Sequence, residues 1–270
     1  MEIPSKILII AGNGDFPILS AKEALKQGVE VFVAAIKGEA EKEIEMFANE
    51  CVWVGLGDFG KILSFLKKRN IKKIILAGQV KHVKIFSRDF PDFKTLKLLF
   101  SLKKNNTVSL LEGVISFLER EGFEVLDSTI FLRKFIPHKG ILTKRRPSEM
   151  EMEDISFGYP IAKEISKLDI GQTIVVKNKA VVAVEAMEGT DETLLRANRL
   201  VGGKEIILIK VSRPNQDMRY DVPVLGLNTI KILKKCNVST VVVEGGKTLI
   251  LNLDKFLEEL NKINTSLVVM

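Results

Sequence analysis

The stretch Lys210-Val-Ser-Arg-Pro-Asn-Gln-Asp-Met-Arg-Tyr-Asp-Val-Pro-Val-Leu-Gly226 holds the residues best suited to do chemistry. Pro214 and Pro223 interrupt it and exclude a continuous helix, because proline lacks the N–H a helix interior needs. Read as extended backbone, Asp217, Arg219 and Asp221 alternate so that both carboxylates share one side. Two such oxygen donors suit Mg²⁺ or Mn²⁺; Mg²⁺ takes one or two carboxylates and keeps its remaining positions for water and phosphate oxygens. Lys210, Arg213 and Arg219 would then neutralise phosphate charge. The plainer reading is a solvated loop whose Asp and Arg residues pair with each other, which contributes little when exposed. The density of both signs between two fixed prolines favours chemistry.

Two more loops leave strand-like runs in the same half. Glu188-Gly-Thr-Asp-Glu192 follows Ala180 to Ala186, and Glu244-Gly-Gly-Lys-Thr248 follows Val238 to Val243. Thr190 or Asp191 is also a candidate helix cap, and Gly245 with Gly246 is also a plain turn that leaves Lys247 in solvent. Convergence on one polyanion gives Thr190, Asp191, Gln216, Gly245 and Gly246 binding roles. Asp217, Asp221, Arg213, Arg219 and Lys247 are the candidate catalytic set, with Asp217 and Asp221 as metal ligands.

Near the start, Ala11-Gly-Asn-Gly-Asp-Phe-Pro17 follows a strand-like run. Main-chain N–H groups around Gly12, Asn13 and Gly14 are candidates to meet a phosphate at the start of the next helix. Pro17 stands where a dinucleotide fingerprint needs its third glycine, and it suits a first helical turn with Asp15 as the cap. Lys81 and His82 end another strand and are a further phosphate-binding candidate; surface residues of this kind are more often only solvated. His138 beside Pro137 has less to recommend it as a base or ligand.

The elements that must position these residues alternate in the first half. Strands are expected at Lys6 to Ile10, Val29 to Ile36, Cys51 to Val54, Lys73 to Leu76 and Phe123 to Leu126. Helices are expected at Leu19 to Gln27 and Lys61 to Arg69 and through much of Asp92 to Gly122, the rhythm of a parallel sheet with crossovers. The Pro- and Gly-containing run from Ile136 to Met152 reads as a connector. The expected division is therefore 1–130 and 131–270. The second half adds strands at Thr173 to Lys177, Ala180 to Ala186, Ile206 to Val211, Val238 to Val243 and Thr265 to Val269. Its helices are expected at Asp154 to Lys167, Glu192 to Leu200 and Thr229 to Lys235. The fold class is α/β, an N-terminal Rossmann-like parallel-sheet domain plus a distinct C-terminal α/β domain.

Composition narrows the function classes. With 46% hydrophobic and 28% charged residues, the 270-residue chain is expected to fold throughout. A net charge of +7 favours anionic partners, phosphates or an acidic membrane surface, but there is no basic-aromatic platform and nucleic acid is not expected. Cys51 and Cys236 lack the spacing of a zinc site and read as free thiols of a reducing compartment. The first apolar run is too short for a signal peptide and no run suffices to span a bilayer. The expectation is a cytoplasmic protein, with peripheral contact at the inner face of the inner membrane.

Taken in order, AGNGDFP (11–17), EREGFEV (119–125), Leu168-Asp-Ile-Gly-Gln172, VEAMEGTDE (184–192), NQDMRYDVPVLGLNTI (215–230) and VEGGKTL (243–249) resemble the LpxI-type UDP-2,3-diacylglucosamine pyrophosphatases nearly end to end. The resemblance implies a Mg²⁺-dependent hydrolase of lipid A synthesis that splits the pyrophosphate of a lipid-linked UDP-sugar into UMP and lipid X. It implies a substrate held between two domains, a homodimer and no nucleotide cofactor. An essential aspartate of the family falls on Asp217 or Asp221. Two other classes remain open on the residues alone. A dinucleotide-dependent oxidoreductase would use the early Gly-rich turn, and a nucleotide-sugar sensor would bind through the same loops without cleavage.

Overall fold

The computed structural model describes residues 3–80 and 107–270. The chain separates into two compact units. One comprises residues 1–133 with Asp217–Asp221, and the other Lys134–Gln216 with Val222–Met270. The sequence suggested one cut; here a five-residue piece of the later sequence groups with the earlier unit.

The first unit is built on β1 (Lys6–Ala11), β2 (Glu30–Ile36), β3 (Glu50–Val54), β4 (Lys73–Ala77) and β5 (Glu124–Val125), in the order β3-β2-β1-β4-β5. Every pairing is parallel. The order reverses direction between β1 and β4, and at such a switch point the loops leaving the strand ends splay apart and open a crevice. The crossovers include α1 (Asp15–Lys26), α2 (Phe59–Lys68) and α3 (Thr107–Arg120). α2 turns Ile62, Leu63, Phe65 and Leu66 onto the sheet, where they join Leu8, Phe32, Ala34 and Ile74. α1 starts earlier than its apolar pattern suggests. Gly14, at φ +93°, stands at its N-cap position, and Asp15, read as the cap, is the first helical residue.

The second unit carries a six-stranded mixed sheet of β6 (Gly140–Ile141), β7 (Thr173–Lys177), β8 (Ala180–Val184), β9 (Ile206–Lys210), β11 (Val238–Val243) and β13 (Ser266–Val269), ordered β6-β13-β11-β9-β7-β8. β9, β11 and β13 run parallel, whereas β7 runs antiparallel to β9. A short parallel pair, β10 (Val224–Leu225) with β12 (Leu249–Ile250), lies beside it in sequence.

Alternation along the strands fills both faces of this sheet. Val175, Leu208, Val241 and Leu267 pack with α5 (Thr190–Leu200), α6 (Leu227–Lys235) and α7 (Leu253–Lys262) through Leu194, Leu233, Phe256 and Leu260. Ile174, Ile209, Val242 and Val268 face Ile155 and Ala162 of α4 (Glu149–Lys167). α4 begins inside the stretch read as a connector. Ser148 caps it by accepting from the Glu151 N–H while the Glu151 carboxylate accepts from the Ser148 N–H, a capping box. The exchange lengthens the helix by a turn that its apolar periodicity does not announce.

Candidate functional site

In the first unit the Gly-rich turn is tied to the loop after β4. Gly12 N–H donates to Ala77 O at 2.8 Å, and Asn13 and Gln79 exchange main-chain hydrogen bonds at 2.7 and 3.0 Å. The Asn13 side chain adds a bond to Glu39 O at 3.1 Å. The N–H groups of Gly12 and Asn13, expected to meet a phosphate, are therefore spent inside the chain. Of that turn, Gly14 lies nearest the start of α1, which no side chain caps. The approach is close enough to demand glycine: a Cβ on Gly12 would lie 2.5 Å from Gln79 O, and one on Gly78 2.6 Å from Asn13 O. Lys81 and His82 fall outside the described residues.

Also in this unit, 217–221 is not extended. Asp221 N–H donates to Asp217 O at 2.9 Å, closing a single helical turn, so the strand-like alternation expected of Asp217, Arg219 and Asp221 is replaced by an i, i+4 relation between the two aspartates. That spacing also brings two residues to one side of a turn. Asp217 Oδ1 accepts from the Arg219 N–H at 3.0 Å, and the Arg219 guanidinium closes on both carboxylate oxygens, with Nη2 2.8 Å from Oδ2. This contact holds the Asp217 carboxyl below the usual range against the opposing effect of burial. Arg219 also reaches Glu119 of α3 at 2.8 Å, and the Ser128 hydroxyl holds this turn by donating to Arg219 O at 2.6 Å. Tyr220 donates to Glu112 at 3.2 Å, and burial followed by that carboxylate pushes its hydroxyl up to about 12.

The second unit gathers its candidates at the end of the sheet where β9 and β11 finish and β7 starts. Lys210 is buried, with Nζ 2.9 Å from Thr190 Oγ1, and Thr190 in turn donates to Glu185 at 3.0 Å. Thr190 opens α5, with Gly189 at the N-cap position and no side-chain cap; Asp191 follows, exposed. Beside them Glu244 accepts from Ser212 N–H, Ser212 Oγ and Lys163 Nζ at 3.0, 2.7 and 2.8 Å. Burial opposes ionisation of Glu244, but the bonds from Lys163 and Ser212 outweigh it and lower its pKa to about 2. Lys247 pairs with the same carboxylate at 3.2 Å. Arg213 pairs with Asp169 at 2.7 Å, and its N–H donates to the Gln216 side chain at 2.6 Å. Gly245 N–H donates to Met270 O and Gly246 N–H to Pro137 O, and Gly246 has φ +73°, so these two glycines shape the turn. Glu185, Glu244, Lys163 and Glu119 were missed from the sequence. Glu185 and Glu244 each directly follow an apolar strand, which is the one signal that could have flagged them.

The donor chemistry fits a hard cation in part. Asp217 is held ionised, as a metal ligand must be, yet Arg219 already bonds both of its oxygens. Asp217 can serve a cation only by sharing an oxygen with Arg219 or displacing it. Among the described residues no group of three or more His, Cys, Asp or Glu stands ready to hold a metal ion. A depression of about 660 Å³ on α4, lined by Pro147, Glu149, Met152, Glu153, Ser156 and Lys179, contains none of the candidate residues.

The profile of the LpxI N-terminal domain matches residues 6–135, and that of the LpxI C-terminal domain matches residues 138–268. The chain belongs to the LpxI family. A curated LpxI from Caulobacter vibrioides, UDP-2,3-diacylglucosamine pyrophosphatase, is 32% identical over 261 residues, spanning 92% of this chain and 91% of its own. Solved structures offer weaker likenesses. The biotin carboxylase domain of Hydrogenobacter thermophilus 2-oxoglutarate carboxylase is 12% identical with a TM-score of 0.28, over 74% of this chain and 42% of that one. N5-carboxyaminoimidazole ribonucleotide synthetase from Thermotoga maritima is 19% identical with a TM-score of 0.25, over 69% of this chain and 43% of that one. At such scores these likenesses carry no argument about the LpxI chain.

Proposed function

We propose that this chain hydrolyses the pyrophosphate bond of UDP-2,3-diacylglucosamine, releasing UMP and 2,3-diacylglucosamine 1-phosphate (lipid X) in lipid A synthesis. The observation that carries the reading is the match of both LpxI domain profiles together with the Caulobacter vibrioides pyrophosphatase, which is alike over nearly the whole length. Water attacks one phosphorus, a new P–O bond forms, and the bridging P–O bond breaks in line. Lys210, Arg213, Arg219 and Lys247 neutralise the phosphate oxygens, the last three by trading a carboxylate partner for phosphate. Asp217 and Asp221 are the proposed holders of Mg²⁺ or Mn²⁺, which would act as Lewis acid and template when bound. Gly14, Thr190, Asp191 and Gln216 are proposed to border the substrate.

The wider reading adds a homodimer and transient contact with an anionic membrane surface. The excess of basic residues supports the second, and among the described residues no helix is long and apolar enough to cross a membrane. Light scattering of the purified chain and flotation with anionic vesicles check these two points. The activity itself is tested by incubating the protein with UDP-2,3-diacylglucosamine and Mg²⁺ and measuring UMP. Release of UMP with matching lipid X is expected; intact substrate after long incubation would leave the protein a nucleotide-sugar sensor.

A further inference from the structure

Among the described cations of the candidate set, Lys210 stands apart. Arg213, Arg219 and Lys247 each contact a carboxylate, but no ion pair among the described residues includes Lys210. Its side chain is enclosed, with only 8% of the residue exposed, and its Nζ meets two neutral hydroxyls, Thr190 Oγ1 at 2.9 Å and Thr173 Oγ1 at 3.4 Å. An ammonium has three donors, so one N–H remains for an acceptor brought from outside. A buried charge without a direct counter-ion is costly, and an anionic ligand would relieve that cost.

Two carboxylates bear on Lys210: Asp191 interacts with it electrostatically without forming an ion pair, and Glu185 acts through a hydroxyl. Thr190 accepts from Lys210 and donates to Glu185 Oε1 at 3.0 Å, so the carboxylate fixes the direction of the Thr190 proton and aims its lone pair at the ammonium. Such chains of aligned donors strengthen one another where the surroundings are apolar. Glu185 is 9% exposed, and its other oxygen, Oε2, has no hydrogen-bond partner. Its backbone is fixed as well. Glu185 N–H donates to Thr173 O at 2.8 Å, and Gly171 lies so close that a Cβ there would come within 2.0 Å of Glu185 O. Glu185 is thus a rigid, buried carboxylate with a single hydrogen-bonding outlet, Thr190.

We infer that Glu185 is a positioning residue for phosphate recognition, holding the Lys210 ammonium through Thr190 so that its free N–H meets a phosphate oxygen of a nucleoside phosphate. The inference rests on the pyrophosphatase reading for the identity of the phosphate, but its test does not depend on catalysis.

The sign of one substitution separates positioning from charge alone. If Glu185 mattered only as a nearby negative charge, its removal would strengthen phosphate binding. Binding of UMP and of uridine to the whole protein is measured by calorimetry, with melting curves to confirm that each variant folds. Loss of one such hydrogen-bonded anchor predicts that Glu185→Ala and Thr190→Val bind UMP about tenfold more weakly while uridine binding is unchanged. Glu185→Gln and Thr190→Ser, which keep the relay, should stay within about threefold of the parent protein. Equal or tighter UMP binding by folded Glu185→Ala overturns the inference, as does equal loss of UMP and uridine, or a parent protein that prefers uridine to UMP. Should Glu185→Ala not fold, Thr190→Val against Thr190→Ser decides alone. Failure of the parent to release UMP from the lipid substrate, with the binding pattern intact, counts against the hydrolytic reading and not against this one.

Discussion

Arg219 closes on the carboxylate of Asp217, two residues before it in the same turn, with Nε 3.0 Å from Oδ1 and Nη2 2.8 Å from Oδ2. The contact holds Asp217 ionised below the usual carboxylate range. Removing the guanidinium must therefore raise the Asp217 pKa. For Arg219→Gln the acid limb of a kcat/KM profile for UMP release is expected to move to higher pH, so that activity falls more at acid pH than near neutrality. An unshifted limb would separate Asp217 ionisation from the reaction.

Replacing the two aspartates in turn tests the proposed metal ligands. Loss of a group that stabilises charge only in the transition state costs roughly a hundredfold to a thousandfold in kcat. Asp217→Ala and Asp221→Ala, assayed with saturating Mg²⁺, are each expected to lose at least about a hundredfold. Near-normal rates in both would end that part of the mechanism.

Acid should loosen the second unit through Glu244. Its pKa falls from an ordinary 4.5 to about 2 in the folded chain, so its stabilisation is complete above 4.5 and is lost as pH drops toward 2. A shift of that size corresponds to something on the order of 3 kcal/mol. Denaturant melts from pH 6 down to pH 2.5 should show this loss, and Glu244→Gln should flatten it. Glu151, where burial is outweighed by hydrogen bonds from Ser239, the Ser148 N–H and Arg145, is likewise lowered to about 2 and contributes a second loss over the same window.

At the Gly-rich turn, Gly78 has φ +88°, and a Cβ there would lie 2.6 Å from Asn13 O and 2.8 Å from Pro17 Cγ. Both the backbone conformation and the space argue for glycine. Gly78→Ala is expected to destabilise the chain by about 2 kcal/mol or more, read as a lowered Tm. An unchanged Tm would mean that the turn can open without cost.

Much of the framework was legible because it is written in local patterns. The strands at 73–77, 173–177 and 238–243 are β-branched runs bounded by turn residues, and they stand within a residue of where the patterns put them. Where a cap or a tertiary contact decides, the patterns fall short. Ser148 and Glu151 start α4 in a stretch whose proline and glycine suggested a loop. α7 is an exception, since Leu253, Phe256, Leu257 and Leu260 with polar residues between them carry a plain helical spacing that the expected elements leave out. Of the helical stretch expected through much of Asp92 to Gly122, the part before Thr107 lies outside the described residues and the rest contains α3.

The candidate site divides in the same way. Residue type singled out Lys210, Arg213, Asp217 and Arg219, because a run so dense in charge around two prolines is unusual. The pairing of Asp217 with Arg219 follows the plainer reading of that run, whereas the partners distant in sequence were hidden. Glu119 lies 100 residues before Arg219, and Glu244 lies 32 after Ser212, so only folding brings them into contact. The turn at 217–221 was also misread as extended. The bond from Asp221 N–H to Asp217 O that closes it leaves no periodic trace in a segment so short.

The chain passes from one unit to the other at 133/134, again at 216/217 and a third time at 221/222. A cut near 133 therefore yields no faithful pair of fragments. The N-terminal piece would lack the turn that Ser128, Glu119 and Glu112 grip, while the C-terminal piece would carry that turn stripped of its hosts. Two separately expressed halves should recover Tyr220 burial only on mixing, which makes that side chain a natural reporter of reassembly.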